Sequence, residues 1–324
     1  MTKIFRNPWL VPGMSLLLLM AALATIEVSG PLVPVSGSMG AWASITVAIT
    51  VQALPFLVLG TIVSGLISAF VPPTALARVT PRNPFVAVPT AGVAGMVLPG
   101  CECASVPVAQ SLMRRGLPPA AALAFLLAAP AVNPVVLVST AVAFQGNRLM
   151  VWARLVASLV TVILVGWIWV TFAKDEWMKP QGSHCDIGTS RAETFRATAI
   201  HDLLNAGGYL VVGAMAAALM KTFVPQDWVL KLAENPLLSV VVMAGLAVLL
   251  SLCSEADAFV AASLTTISPT AQLAFLVVGP MVDVKLFAMQ VGAFGSKFAT
   301  RFMSLTLVAG IFVSLFLGRA FFGA

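Results

Sequence analysis

Charge is what this sequence has least of. Of its 324 residues only 9% are Asp, Glu, Lys or Arg, against roughly 25% in soluble domains. So few charges cannot cover a water-facing surface. With 60% hydrophobic residues, the chain reads as an all-α polytopic membrane protein. Polar stretches are equally scarce, and residues 174–197 form the one clear example. The four cysteines do not make an extracellular disulfide framework, because Cys101, Cys103 and Cys253 lie in apolar segments and Cys185 stands alone in the polar stretch. No phosphate-cradling GxxxxGK[ST] run occurs, which argues against direct ATP hydrolysis. His184-Cys185-Asp186 falls short of the four spaced ligands of a structural zinc site. The net charge of +6 calls for no nucleic acid and fits Lys and Arg held on a cytoplasmic face. Nothing implies a cofactor, and the chain does not read as an enzyme.

What is present is apolar sequence in membrane-sized lengths. A spanning helix takes about 20 mainly apolar residues, and candidates are 9–28, 43–70, 86–113, 117–143, 150–173, 198–223, 236–264, 270–295 and 299–321. Lys3 and Arg6 precede an apolar run that ends at Ala22-Leu23-Ala24. That is signal-like, but the apolar character begins at Trp9 and continues, so we read a retained first transmembrane helix. The expected organisation is an N-terminal helix and loop (1–42), a first permease repeat (43–173), a cytoplasmic linker (174–197) and a second repeat (198–324).

The repeat rests on order and spacing. Gln52 to Gly60 matches Asn205 to Gly213, and Phe70-Val71-Pro72 matches Phe223-Val224-Pro225, both at an offset of 153. Asn83-Pro84 matches Asn235-Pro236 and Cys101 matches Cys253 at 152; Pro130 matches Pro280 and Asn133 matches Asp283 at 150. In each half one long apolar segment is interrupted, at Pro99-Gly100-Cys101-Glu102-Cys103 and at Cys253-Ser254-Glu255-Ala256-Asp257. Proline and glycine around the first interruption argue against a straight helix.

Charge arbitrates how these segments enter the membrane. With the N-terminus inside and both interrupted segments re-entrant, twelve Lys and Arg fall inside and five outside, Arg148 and Arg154 among the five. If both segments cross fully, the division is ten to seven. The re-entrant or broken-helix arrangement is therefore expected. It leaves three crossings per half, so the two repeats would be inverted, with a site near the midplane where broken helices meet.

The residues expected at that site are Cys101, Glu102, Cys103, Asn133, Cys253, Glu255, Asp257, Asp283 and Lys285. Thiolates favour soft or thiophilic ions, and in a turn after Pro99-Gly100 both sulfurs can face one cavity, with Cys253 as a third. The bland counterpart is that cysteine is a small hydrophobe that buries easily. A carboxylate at the bilayer centre costs on the order of 3 kcal/mol by insertion scales, which points Glu102, Glu255 and Asp257 to a pathway or proton relay rather than to capping of half-helices alone. Lys285 needs a buried partner, and Asp283, Glu255 and Asp257 are the candidates. Gln52 and Asn205, equivalent in the repeat, are expected either to line the cavity or to bond neighbouring helices. His201-Asp202 reads as interfacial.

Two stretches carry a family resemblance. One is Gly100-Cys101-Glu102-Cys103-Ala104-Ser105-Val106-Pro107 with Ala128-Ala129-Pro130-Ala131-Val132-Asn133-Pro134; the other is Leu252-Cys253-Ser254-Glu255-Ala256-Asp257 with Val278-Gly279-Pro280-Met281-Val282-Asp283. From about residue 43 to 321 the chain resembles the bacterial predicted-permease family that includes YraQ-type proteins and organoarsenical efflux permeases. The resemblance implies a multi-pass permease of the bacterial plasma (inner) membrane, some members exporting trivalent methylated arsenicals. Many relatives look like Cys-Ser-Cys where this chain has Cys101-Glu102-Cys103. The expected function is a secondary transporter exporting a small soft or thiol-reactive solute, such as a trivalent arsenical or metal species, with proton coupling through the carboxylates. A membrane thiol oxidoreductase using Cys101 and Cys103 is the second reading, weakened because redox pairs are usually CxxC. A non-transporting scaffold is the third.

Overall fold

The computed structural model describes residues 38–72, 80–81, 83–97, 101–145, 147–173, 190–223 and 236–323. The expected helix over 9–28, Pro99-Gly100, Arg78, Arg82, Lys231 and the His184-Cys185-Asp186 cluster lie outside these residues. The regular structure among them is helical. In chain order it comprises α1 (Ser38–Phe70), α2 (Pro84–Ala94, with a 3-10 turn Gly95–Val97), α3 (Glu102–Arg114), α4 (Pro119–Val132), α5 (Pro134–Ala143) and α6 (Arg148–Phe172). The second set is α7 (Arg191–Phe223), α8 (Pro236–Leu250), α9 (Ala256–Ser263), α10 (Pro269–Val278), α11 (Val284–Phe294) and α12 (Ser296–Phe322). The two sets share one order: a long helix, two interrupted pairs, and a closing long helix.

Local signals set the helix starts. Pro84 and Pro269 take first-turn positions, where a missing N–H costs nothing. Asn83 accepts from the Phe85 amide at 3.0 Å, and Ser268 from that of Ala271 at 3.3 Å. Helix α7 begins seven residues inside the expected linker because Ser190 and Glu193 form a capping box: Ser190 Oγ accepts from the Glu193 amide, and Glu193 Oε2 from that of Ser190, each at 3.3 Å.

Both interrupted segments break. The first separates α2 from α3, and the second separates α8 from α9 at 251–255, where Ser251 takes a left-handed φ of 44°. Two further breaks fall inside 117–143 and 270–295, which the sequence segmentation treats as continuous. Asn133 stands extended (φ −68°, ψ 155°) between α4 and α5, as a residue before proline should. The matching break runs from Gly279 to Asp283, between α10 and α11.

Helices α1 and α7 lie antiparallel along each other. Trp42 Nε1 donates to the Met215 carbonyl at 3.0 Å near one end, and Ser64 Oγ to Asp202 Oδ2 at 2.5 Å near the other. This pair rests on α3 and α11. Glycine permits the approach at matched positions: a Cβ on Gly60 would lie 2.6 Å from Ala104 Cα, and one on Gly213 would lie 2.6 Å from Lys285 Cα. Helix α4 packs between α2 and α6, α10 between α8 and α12, and α6 meets α12.

The start of α2 and the end of α3 approach one end of the bundle. Trp167 Nε1 donates to the Phe85 carbonyl at 3.0 Å, Trp169 stacks edge-on to Phe298 and Phe302, and Gln110 Nε2 donates to the Ala293 carbonyl at 3.0 Å. At the far end of α12, Gly318 packs on Thr270, and Gln272 Nε2 donates to the Leu264 carbonyl just after α9 at 2.9 Å.

Five described stretches are long and apolar enough to cross a membrane: Ser38–Phe70, Pro119–Ala143, Arg148–Phe172, Arg191–Thr222 and Ser296–Phe322. Their outward faces carry exposed Val160, Trp167, Phe312 and Phe316. This is the surface a bilayer requires, and the chain is a multi-pass membrane protein. Gln52 is on that exposed side of α1 rather than lining an interior cavity, because the buried strip of the helix runs through Ala53 and Leu57; Asn205 is half-buried.

Candidate functional site

The first break delivers three consecutive reactive side chains to the start of α3. Cys101 is the cap residue, extended at φ −80° and ψ 177°, and Glu102 and Cys103 occupy the first helical turn. All three are buried, and both thiols are free. One ligand atom from each (two sulfurs and a carboxylate oxygen) lies within 4.8 Å of the others. A carboxylate suits this turn because unpaired helix amides make it electropositive. Glu102 also keeps its backbone engaged, its carbonyl accepting from Ser105 Oγ at 2.9 Å.

Facing this group is Lys285, in the first turn of α11. Its Nζ lies 2.6 Å from Glu102 Oε1 and 3.3 Å from Asp283 Oδ2. The same ammonium donates to the Ser251 and Leu252 carbonyls at 3.0 Å each, covering the carbonyls freed where α8 ends. Lys285 therefore ties the first break to the second, across the two halves of the chain. The partners expected for it included Glu255 and Asp257. The structure corrects this: its carboxylates are Glu102 and Asp283, because the start of α11 faces the start of α3 rather than α9.

Asp283 has two duties. Oδ1 accepts from the Leu286 amide at 2.6 Å and caps α11, leaving Oδ2 toward Lys285. Its repeat partner Asn133 caps α5 in the same manner, Oδ1 accepting from the Val136 amide at 2.9 Å while Nδ2 donates to the Ala129 carbonyl at 2.9 Å. Asn133 is thus buried in a capping role.

The remaining candidates lie outside the three-ligand group but within electrostatic reach of Glu102 and Lys285. Cys253 is buried, but its sulfur is outside the three-ligand group, since the turn that carries it leads to α9, which packs on α5 and α10. Its carbonyl accepts from the Ala256 and Asp257 amides at 2.9 and 3.1 Å. Glu255 is half-buried. Asp257 is buried with Oδ2 lacking a hydrogen bond, so close to Gly279 that a Cβ there would lie 2.5 Å from that oxygen. Neither forms an ion pair among the described residues.

Arg154, counted among the outside loop charges in the sequence reading, is fully buried in the second turn of α6. Nη1 donates to Thr140 Oγ1 at 2.7 Å and Nη2 to the Ser254 carbonyl at 3.1 Å. Arg154 thus supports the second break as Lys285 does, from the first half. The readable signal was a lone guanidinium within an apolar run, which flanking position disguised as a loop charge. A second inter-half pair joins Arg114 Nη2 to buried Asp202 Oδ1 at 3.0 Å, with Ser64 on the other oxygen, so Asp202 is a packed ion-pair partner.

Relatives of this chain are found over most of its length. The family described as a predicted permease matches residues 38–318. A Bacillus subtilis (strain 168) protein named UPF0718 protein YcgR is 38% identical over 275 residues, 83% of this chain and 93% of that protein. A Streptococcus mutans protein described as a putative two-component membrane permease complex subunit is 34% identical over 284 residues, 85% of this chain and 94% of that protein. No solved structure matches.

Proposed function

The chain belongs to the predicted-permease family, and from that premise we propose that it is a secondary transporter exporting a small soft or thiol-reactive solute across the bacterial plasma membrane. The observation that carries this reading is the buried group Cys101, Glu102 and Cys103, with ligand atoms within 4.8 Å of one another. Two sulfurs and one oxygen favour soft metal species or trivalent arsenicals over hard cations such as Mg²⁺. Helix breaks at membrane depth are tolerated where they line a site, and the thiol group sits at one of them.

Inverted repeats follow from the same reading. The end of α3 lies near Ala293 at the end of α11, just before α12 begins, whereas the end of α9 lies near Thr270 and the end of α12. On this reading α3 and α9 run toward opposite ends of the bundle, which suits alternating access around a fixed midplane site. Glu102, Asp257 and Asp283 are the groups proposed to carry protons against the cargo. The Streptococcus mutans relative is described as a complex subunit, and we extend to this chain a second membrane component that assembles with it.

Everted vesicles test the function. Vesicles containing the protein are expected to accumulate at least one of methylarsenite, arsenite, zinc, copper or cadmium in a pH-gradient-dependent manner, with Cys101→Ser and Cys103→Ser abolishing uptake. Uptake of the identified substrate that is unchanged by both serine variants removes the thiols from the pathway. Unchanged uptake in Glu102→Gln removes that carboxylate from the mechanism.

A further inference from the structure

We propose that Asp257 is a proton-binding site separate from the thiol–carboxylate group, taking one proton at Oδ2, with Arg154 as the positioning residue that supports its ionised form. The site stands on its own geometry, and its part in coupling rests on the secondary-transporter reading. It narrows the proton carriers from three carboxylates to one and leaves the first break to the cargo.

The balance of charge selects Asp257. Around the two breaks the carboxylates Glu102, Asp257 and Asp283 are buried, and so are the cations Lys285 and Arg154. One negative charge is in excess. Lys285 Nζ is 2.6 Å from Glu102 Oε1 and 3.3 Å from Asp283 Oδ2, so both of those carboxylates have a cation in contact. Asp257 has none among the described residues, and its Oδ2 has no hydrogen bond. A carboxylate buried without a partner is costly in its charged form. A proton on Oδ2 removes the excess and leaves two cations against two anions. Half-buried Glu255 and Lys221 also reach this field and carry opposite charges. Helices α5 and α10, on which α9 packs, bring no charged residue.

The surroundings support both protonation states. Asp257 stands in the first turn of α9, where unpaired amides favour a carboxylate. It also stands against Gly279 at the end of α10, where carbonyls favour the neutral acid. A Cβ on Gly279 would lie 2.5 Å from Asp257 Oδ2 and 3.0 Å from the Phe275 carbonyl oxygen. Glycine at this position thus lets the carboxyl reach a helix end that repels it when ionised. Arg154 answers the ionised form. Its Nη2 is held at 3.1 Å on the carbonyl of Ser254, in the turn that leads to Asp257, and its Nε has no hydrogen-bond partner. The guanidinium is within electrostatic reach of Asp257 without touching it. A cation with no carboxylate in contact therefore accompanies a carboxylate with no cation in contact.

The test uses the full chain in nanodiscs and infrared difference spectra of the carboxylic-acid C=O stretch, which need no cargo. From about pH 5 to about pH 9 one acid band is expected to lose its proton. It should be absent in Asp257→Asn and retained in Glu102→Gln. A band that survives in Asp257→Asn or vanishes in Glu102→Gln overturns the proposal, as does the lack of any titrating band in the parent chain. If Asp257→Asn does not fold, Asp257→Glu must shift the band, and an unshifted band overturns the proposal. Arg154→Gln removes a charge that favours ionisation, so proton affinity is expected to rise by about tenfold and the midpoint to move to higher pH. Arg154→Lys keeps the charge and should change the affinity by less than about threefold. An unchanged or lower midpoint in Arg154→Gln overturns the role of Arg154. A midpoint that falls as Na⁺ is added makes Asp257 a sodium site and overturns the proton assignment.

The cargo reading fails separately. Cd²⁺ binding, read from the thiolate-to-metal absorption band, is expected to change by less than about twofold in Asp257→Asn, because an amide matches the neutral acid in charge. A larger change overturns the separation of the two sites. A Cd²⁺ band that persists in the Cys101→Ser, Cys103→Ser double variant overturns the cargo reading and leaves the proton site standing. In everted vesicles, Cd²⁺ or methylarsenite uptake by Asp257→Asn should no longer depend on the pH gradient, and uptake still driven by it overturns the coupling role.

Discussion

Lys285 Nζ stands 2.6 Å from Glu102 Oε1, and with that contact a residue of the last third of the chain neutralises a carboxylate of the first third. Both groups are buried, and the contact pairs two charges inside the core. Removing one partner of such a pair typically costs about 3–5 kcal/mol, whereas replacing both with apolar groups is often close to neutral.

This gives a first prediction. Glu102→Met and Lys285→Met are each expected to lower unfolding stability by about 3–5 kcal/mol. The double variant is expected to lose clearly less than the sum but not to return to the parent level, because Asp283 and the Ser251 and Leu252 carbonyls still lose their donor. Unfolding in detergent followed by tryptophan fluorescence provides the double-mutant cycle. Additive losses would show that the two side chains do not act as a pair.

Glycine contacts between α1–α7 and the broken helices provide a second. Gly60→Ala and Gly213→Ala each drive a methyl to 2.6 Å from a backbone carbon, and about 1–3 kcal/mol of stability should be lost at each. Gly245 of α8 has open space around its Cβ position, so Gly245→Ala should be neutral or stabilise by up to about 1 kcal/mol. Melting temperatures of the three variants in one detergent make the comparison.

Arg154 supplies the third. It holds the Thr140 hydroxyl and the Ser254 carbonyl, so Arg154→Ala should cost about 1–3 kcal/mol for the polar groups left buried. Hydrogen exchange measured by mass spectrometry should rise in the peptide spanning 251–257. If exchange there stays at the wild-type level, the guanidinium is not what steadies the second break.

A fourth concerns orientation. Arg115 and Lys297 are at the end of the bundle where α3 finishes and α12 begins, whereas Arg148 and Arg319 are at the other. Single cysteines at these four positions, in a background with the native cysteines replaced by serine, should label in two pairs from opposite faces of oriented membranes. Labelling of Arg115→Cys from the face opposite to Lys297→Cys would sink the inverted, re-entrant arrangement.

Much of this architecture was legible in one dimension. Asn133 and Asp283 are matched by the repeat, and the structure gives them the same capping duty, because a short side chain that accepts from the amide three residues on serves either half. Cys101, Glu102 and Cys103 announced a local break through Pro99 and Gly100. The inner breaks at Asn133 and Gly279 were harder to see, since apolar composition continues through them and hydropathy does not register a turn. Arg154 was misplaced for a related reason: its position near the start of an apolar segment looks the same whether its side chain points to solvent or to Ser254.

The sequence alone settled that this is a helical membrane protein with reactive side chains near helix breaks. Composition, apolar length and spacing are local properties, and the cost of placing charge or unpaired backbone in hydrocarbon makes them decisive. Which charge answers which was decided only by tertiary structure. Glu102 and Lys285 are 183 positions apart, and no spacing rule favours that pair over Lys285 with Glu255 or Asp257. Close packing at Gly60 and Gly213 brings the starts of α3 and α11 under the α1–α7 pair. Coulomb attraction over a few ångströms then selects the partner that packing has put within reach.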